Sequence, residues 1–111
     1  MPLISVVIPA YNQARTLPAV IESVLAQTIR HSAGPRSVEI IVVDDGSTDK
    51  TQAVLIPYRK QIHVHYPRRR GLAQAREVGS KMARSNNVII VNADATLAPD
   101  TLNLMTQVTT L

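Results

Sequence analysis

The stretch 38–49, VEIIVVDDGSTD, constrains this chain more than any other. Five of its first six residues are aliphatic, and the run meets two adjacent carboxylates, Asp44 and Asp45, and then a Gly46-Ser47-Thr48-Asp49 turn signal. A β-branched run bounded by turn residues reads as a strand buried on both faces, as in a parallel sheet. The acids then lie at the strand's carboxyl end, where open α/β sheets bind their ligands. Like charges side by side at the end of a core strand repel each other, and a ligand, a helix N-terminus or a backbone donor relieves that repulsion. Asp also forms turns and caps helices, so a structural use of both residues stands beside the functional one.

The rest of the chain alternates in the same manner. Residues 3–8 (LISVVI) read as a second buried strand, ended by Pro9, and Pro9-Ala10-Tyr11-Asn12 reads as a loop. Thr16 is placed to cap a helix with Pro18 in its first turn, and Leu17, Val20, Ile21, Val24 and Leu25 share one face of it. Residues 31–37 (HSAGPRS) form a turn-rich link to the 38–43 strand. Thr48 or Asp49 then caps a short helix through Ala53, Val54 and Leu55 that Pro57 ends. Ile62 to Tyr66 alternates like a strand, and Gly71 opens a helix with Leu72, Ala75, Val78, Gly79, Met82 and Ala83 on one face. Val88 to Val91 is the fourth strand, Asn92-Ala93-Asp94-Ala95-Thr96 the loop after it, and Pro99-Asp100 starts a last helical segment.

With 111 residues and 45% hydrophobic content but no Phe or Trp, the core must be aliphatic, which suits helices packed on a parallel sheet. The expected fold is α/β: one domain over residues 1–111 with a parallel open sheet of about four strands, order 3-2-1-4, and helices on both faces. In that order the first and fourth strands are neighbours and the winding reverses between them. A crevice opens there, lined by Pro9-Ala10-Tyr11-Asn12 and Asn92-Ala93-Asp94, with Asp44-Asp45 one strand away.

Several chemistries are excluded by what is missing. There is no G-x-G-x-x-G after the first strand, no P-loop, no G-x-S-x-G elbow and no cysteine. A net charge of +4 favours acidic ligands, but the one basic run, Arg68-Arg69-Arg70, lacks interleaved aromatics, so no nucleic acid partner is expected and a solvated loop is. His63 and His65 share a strand face without an evident third ligand, which favours a structural role. No apolar run approaches the ~18 residues needed to span a bilayer, and no leader follows Met1, so the expectation is a cytoplasmic protein, in a longer form one at the cytoplasmic face of a membrane. A site of carboxylates, backbone and arginines suits a diphosphate held through a divalent metal.

Four segments in register, residues 4–12 (ISVVIPAYN), 41–49 (IVVDDGSTD), 71–76 (GLAQAR) and 91–94 (VNAD), resemble family 2 glycosyltransferases of the GT-A fold, specifically the nucleotide-sugar-binding half. The resemblance implies a nucleoside-diphosphate sugar as ligand, a UDP-sugar favoured, and inverting transfer to an acceptor hydroxyl. It gives the nucleobase to the Pro9-Ala10-Tyr11 backbone and to Asp45, with Asp44 as a structural or capping residue. Arg76 resembles the basic helix residue near the nucleotide and sugar, and Asn92-Ala93-Asp94 occupies the D-x-D position, so Asp94 is the metal residue for Mn²⁺ or Mg²⁺. The chain departs from the pattern in having Asn92 for the first acid and Ala95 where a further Asp often stands, which leaves metal affinity to Asp94 and the diphosphate.

The family's catalytic base and acceptor surface belong to the second half of the fold, so the chain reads as a donor-binding half with no catalytic residue of its own, inactive alone, its open sheet edge inviting a homodimer. Two other readings stand. Asn92 to Thr96 echoes the D-x-D-x-T signature of aspartate-nucleophile phosphatases, although the nucleophile position is Asn and the wrong strand precedes it. A non-catalytic nucleotide-binding or regulatory module of the same fold is the alternative that the loss of D-x-D charge supports.

Overall fold

In the computed structural model, backbone is described for residues 2–109 and side chains for residues 2–105. Four parallel strands, β1 (Ile4–Ala10), β2 (Val38–Asp44), β3 (His63–His65) and β4 (Val88–Ile90), form one sheet in the order β3-β2-β1-β4. Helices α1 (Leu17–Leu25), α2 (Thr28–Ser32), α3 (Thr51–Leu55), α4 (Leu72–Met82) and α5 (Thr101–Thr109) connect and follow them. This is the expected α/β sheet in the expected order, with helices on both faces.

Side-chain alternation along the central strands divides the interior into two unequal parts. One face presents Ile4, Val6, Ile8, Val38, Ile40 and Val42 to Leu17, Val20, Ile21 and Val24 of α1, Ile29 of α2, Leu55 of α3 and Leu102 of α5. The other presents Val7, Ile41 and Val43 to Ala75 of α4 and to Ala83 just beyond its end. Gly79 is what lets α4 lie so close: a Cβ there would come within 2.3 Å of a Val7 methyl. The periodic stripe expected on this helix is only partly used. Ala75 and Gly79 are buried, whereas Leu72 and Met82 are each 39% exposed, because a single helix over the middle of a sheet touches it along a narrow line. Val88 and Ile90, on the same sheet face beside α4, are exposed as well.

Other elements differ from the sequence expectation. Strand β1 does not stop at Pro9 but runs to Ala10, with Pro9 opposite Val43. The Ser5 amide donates to Asn87, on the β4 side, so the like-facing position of Pro9 also looks to that side. The β4 pairing reaches only Val7, so the missing N–H of Pro9 leaves no ladder bond unmade. The link after α1 holds the five-residue helix α2, too short for a periodic signal. Helix α3 begins at Thr51 with Lys50 at its N-cap position and no side-chain cap, so neither Thr48 nor Asp49 is the N-cap; Asp49, one residue earlier, accepts from the Thr51 amide at 2.9 Å. Among the described residues no helix is long and apolar enough to cross a membrane.

Candidate functional site

At the carboxyl edge of the sheet the loop after β1 is tied to the loop after β2. Asn12, in the left-handed region at φ 52°, donates its amide to Ser47 Oγ at 2.9 Å. Its side-chain oxygen accepts from the amides of Thr48 (2.8 Å) and Asp49 (3.2 Å). The Gln13 amide reaches Thr51 Oγ1 at 3.0 Å, and the Ala14 amide reaches Asp49 Oδ2 at 3.3 Å. The Thr51 hydroxyl bond lowers the pKa of the Asp49 carboxyl; slight burial works against it and the Thr51 and Ala14 amides add to it. The Ser47-Thr48-Asp49 turn is therefore spent on joining two loops.

Asp44 and Asp45 part ways. Asp44 is buried, and its Oδ1 accepts from the Ser47 amide at 3.1 Å, so it shapes the turn after β2 as a structural residue and caps no helix. Its Oδ2 is buried without a donor among the described residues. Asp45, 1% exposed, accepts three hydrogen bonds from one distant loop: Arg69 Nη1 at 2.6 Å, the Arg70 amide at 2.9 Å and the Gly71 amide at 3.0 Å. The Arg69 guanidinium carbon also lies 3.4 Å from the centre of the Tyr11 ring. A guanidinium that gives one nitrogen to a carboxylate while its carbon lies over an aromatic ring combines an ion pair with a cation–π contact. The expectation that residues 68–70 are only a solvated loop thus fails at Arg69. The contact joins positions 24 residues apart, which no local pattern reveals.

The crevice itself has a volume of about 260 Å³ and is lined by Pro9, Tyr11, Gln13, Leu72, Arg76, Asn92, Ala93 and Asp94. Of the residues singled out in the sequence, Pro9, Tyr11, Arg76, Asn92, Ala93 and Asp94 meet there. Ala10 is buried within β1, and Asp45 lies beneath Arg69 rather than in the wall. Gln13 and Leu72 were not foreseen; Leu72 stands one helical turn before Arg76, a spacing that does signal a shared face. The loop after β4 is held by Thr16, whose hydroxyl lies 2.8 Å from the Ala93 carbonyl and 2.9 Å from Gln13 Oε1. Thr16 occupies the N-cap position of α1 but makes no capping bond, because its hydroxyl is used here.

For a divalent metal, Asp94 and Asn92 offer hard oxygen donors on one wall of the crevice. Among the described residues no three His, Cys, Asp or Glu side chains converge into a complete coordination shell. That donor set fits an ion that keeps water and shares phosphate oxygens, the habit of Mg²⁺ at substrate diphosphates, and does not fit a protein-only cage. His63 stands elsewhere, 4.0 Å from Glu39.

Comparison with known proteins agrees with this architecture. The family model described as Glycosyl transferase family 2 matches residues 5–108. Glycosyltransferase GlyG of Streptococcus pneumoniae is 35% identical over 96 residues, covering 83% of this chain and 30% of that protein. Residues 1–349 of S. aureus TarS, solved in complex with UDP-GlcNAc, superpose with a TM-score of 0.83 at 26% identity, over 96% of this chain and 30% of theirs. The mannosyltransferase PcManGT of Pyrobaculum calidifontis, solved with GDP-Man and Mn²⁺, gives a TM-score of 0.76 at 28% identity, over 91% of this chain and 30% of its own. The chain thus spans about a third of the length of the relatives it matches. With the sheet order, the crevice and the matched segments in agreement, the chain belongs to glycosyl transferase family 2.

Proposed function

We propose that residues 1–111 are the donor-binding part of a glycosyltransferase and hold a nucleoside-diphosphate sugar, a UDP-sugar favoured, across the crevice between β1 and β4. The observation that carries this reading is the convergence of Tyr11, Arg76, Asn92 and Asp94 on one hollow at the point where the sheet reverses its winding. Tyr11 offers a ring face to the base, Asn92 an amide to a ribose hydroxyl, and Arg76 a cation to the diphosphate. Asp94, helped by Asn92, holds Mn²⁺ or Mg²⁺, whose charge when bound stabilises the leaving diphosphate. Support for a nucleotide-sugar ligand comes from the solved relatives, TarS with UDP-GlcNAc and PcManGT with GDP-Man and Mn²⁺.

Asp45 and Arg69 give the reading its sharpest consequence. Asp45, which the resemblance assigns to the nucleobase together with the Pro9-Ala10-Tyr11 backbone, and the ring of Tyr11 are both engaged by the Arg69 guanidinium. A base that uses them displaces Arg69 into solvent, which its half-exposed side chain permits. Asp94 is the one carboxylate lining the crevice among the described residues, so the base that deprotonates an acceptor belongs to another part of a longer protein, and this chain alone binds without turnover. The acceptor binds there too. Strand β4 is the open edge of the sheet, through whose backbone that part, or a second copy of the chain, continues it, with exposed Val88 and Ile90 on the adjoining face.

Thermal shift with UDP, GDP and dTDP, with and without Mn²⁺, tests the reading. Stabilisation strongest with UDP and enhanced by Mn²⁺ is expected, and Asp94→Ala removes only the Mn²⁺-dependent part. The second reading, a non-catalytic module, is favoured by Asn92 at the first acid position. It is distinguished by nucleotide binding that Mn²⁺ leaves unchanged, whereas no response to any nucleotide overturns the donor-binding reading and favours an inert regulatory module.

A further inference from the structure

We propose that the amino-terminal edge of the sheet carries a second ligand site, which takes a phosphate-bearing polyanion. The cleft there is larger than the crevice, about 540 Å³ against 260 Å³, and lies at the opposite ends of the strands, at the start of β2 and β3. Its wall includes Arg30, Arg36, Lys60 and Arg84, together with His63 and the single carboxylate of Glu39. These cations come from four separate segments: α2, the 3₁₀ turn Pro35–Ser37, the turn after the 3₁₀ segment Ile56–Tyr58, and the chain leaving α4. Four like charges gathered around one hollow repel each other, and an anion that touches several of them removes that repulsion.

The carboxylate in the wall does not neutralise them. Glu39, 6% exposed, accepts from Ser5 Oγ at 2.7 Å, the Arg84 amide at 2.9 Å and Arg84 Nε at 2.7 Å. It thereby fixes the Arg84 guanidinium by its inner edge, and the two terminal nitrogens have no partner among the described residues. Arg36 and Lys60 have no carboxylate within ion-pair reach among the described residues. Arg30 gives a terminal nitrogen to the Leu25 carbonyl, yet its Nε is buried with no acceptor. The arginine fork matches phosphate oxygens, and three arginines around one hollow select phosphate over a lone carboxylate. One phosphate group fills a small part of the cleft and reaches one or two of the cations. Linked phosphates, or a phosphate on an apolar carrier resting on Pro2, Val38 and Ile40, reach more.

Titration of the ¹⁵N-labelled chain with sodium tripolyphosphate, followed by amide shifts at low ionic strength, tests the site. Shifts are expected at 30–39, 60–63 and 84. The double variant Arg36→Ala/Lys60→Ala, which breaks no ion pair, lowers affinity roughly tenfold or more. Arg15→Ala/Arg68→Ala, the same charge change on exposed residues outside the cleft, lowers it less than about twofold. Shifts confined to 9–13 and 92–94, or equal losses in the two double variants, overturn the proposal. Co-sedimentation with phosphatidylcholine vesicles, with and without phosphatidylglycerol, separates the sources. Binding that needs phosphatidylglycerol and is lost in Arg36→Ala/Lys60→Ala identifies a lipid phosphate, tripolyphosphate binding without vesicle binding identifies a soluble one, and failure of both overturns the site.

Discussion

Glu39 and Asp45 stand at opposite ends of β2, both buried, each taking one arginine side chain and two further donors. The donors differ in origin. Those of Glu39 come from β1 itself, through Ser5, and from Arg84 on the approach to β4, so the carboxylate staples the middle of the sheet to its edge. Those of Asp45 all come from residues 69–71, a loop that enters α4 through Gly71 at φ 100°. Letting go of Glu39 loosens the sheet, whereas letting go of Asp45 frees one loop. The same ionic chemistry is a staple where its donors belong to the framework and a latch where they belong to a single loop. Only the latch adjoins the crevice.

Glu39→Ala tests this contrast most severely. It leaves the Ser5 hydroxyl and the Arg84 amide without their acceptor, for an expected loss of about 2–3 kcal/mol by urea denaturation. Asp45→Ala strands the Arg70 and Gly71 amides, but their loop turns to water, so about 1–2 kcal/mol is lost. Its nucleoside diphosphate affinity falls as well, with or without Mn²⁺. A larger stability loss for Asp45→Ala than for Glu39→Ala breaks the distinction.

Acid sensitivity sharpens it further. Burial by itself pushes the Glu39 carboxyl up, but the Arg84 amide, the Arg84 guanidinium and the Ser5 hydroxyl together outweigh burial and hold it below its usual value. A folded pKa below the unfolded one gives stability that is complete above the unfolded value of about 4.3 and is lost as pH falls through the folded value. Glu39→Gln should therefore lie roughly 1 kcal/mol below the parent at neutral pH and converge with it in acid, as urea midpoints across pH 2–7 will show. A gap independent of pH removes the ionised staple.

Arg69→Ala has the smallest effect on stability, within about 0.5–1 kcal/mol, because its side chain is half exposed. Freed of that guanidinium, Tyr11 and Asp45 should bind nucleoside diphosphate roughly two- to tenfold more tightly by calorimetry. Weaker binding instead makes Arg69 part of the base pocket and not its occupant.

Much of the architecture was open to reading from residues alone. The aliphatic runs at 4–8 and 38–43 become central strands because no other element buries such runs on both faces, and right-handed crossovers leave few orders for four strands. Pro9 misled because a missing N–H matters only on a side where a neighbouring strand continues, and β4 pairs no further than Val7. The stripe of α4 promised more burial than one helix over an open face delivers, as Leu72 shows.

The sequence alone determined the order of elements, the aliphatic interior and the three loops that gather at the carboxyl edge, since these follow from local periodicity and chain handedness. Only the tertiary structure decided that Arg69 takes Asp45 and Tyr11, that Glu39 takes Ser5 and Arg84, and that four cations from separate segments share one cleft. A hydrogen bond or ion pair depends on angstrom-scale distance between atoms whose residues lie far apart in the chain, and hydrophobic period carries no information about which polar side chains will meet.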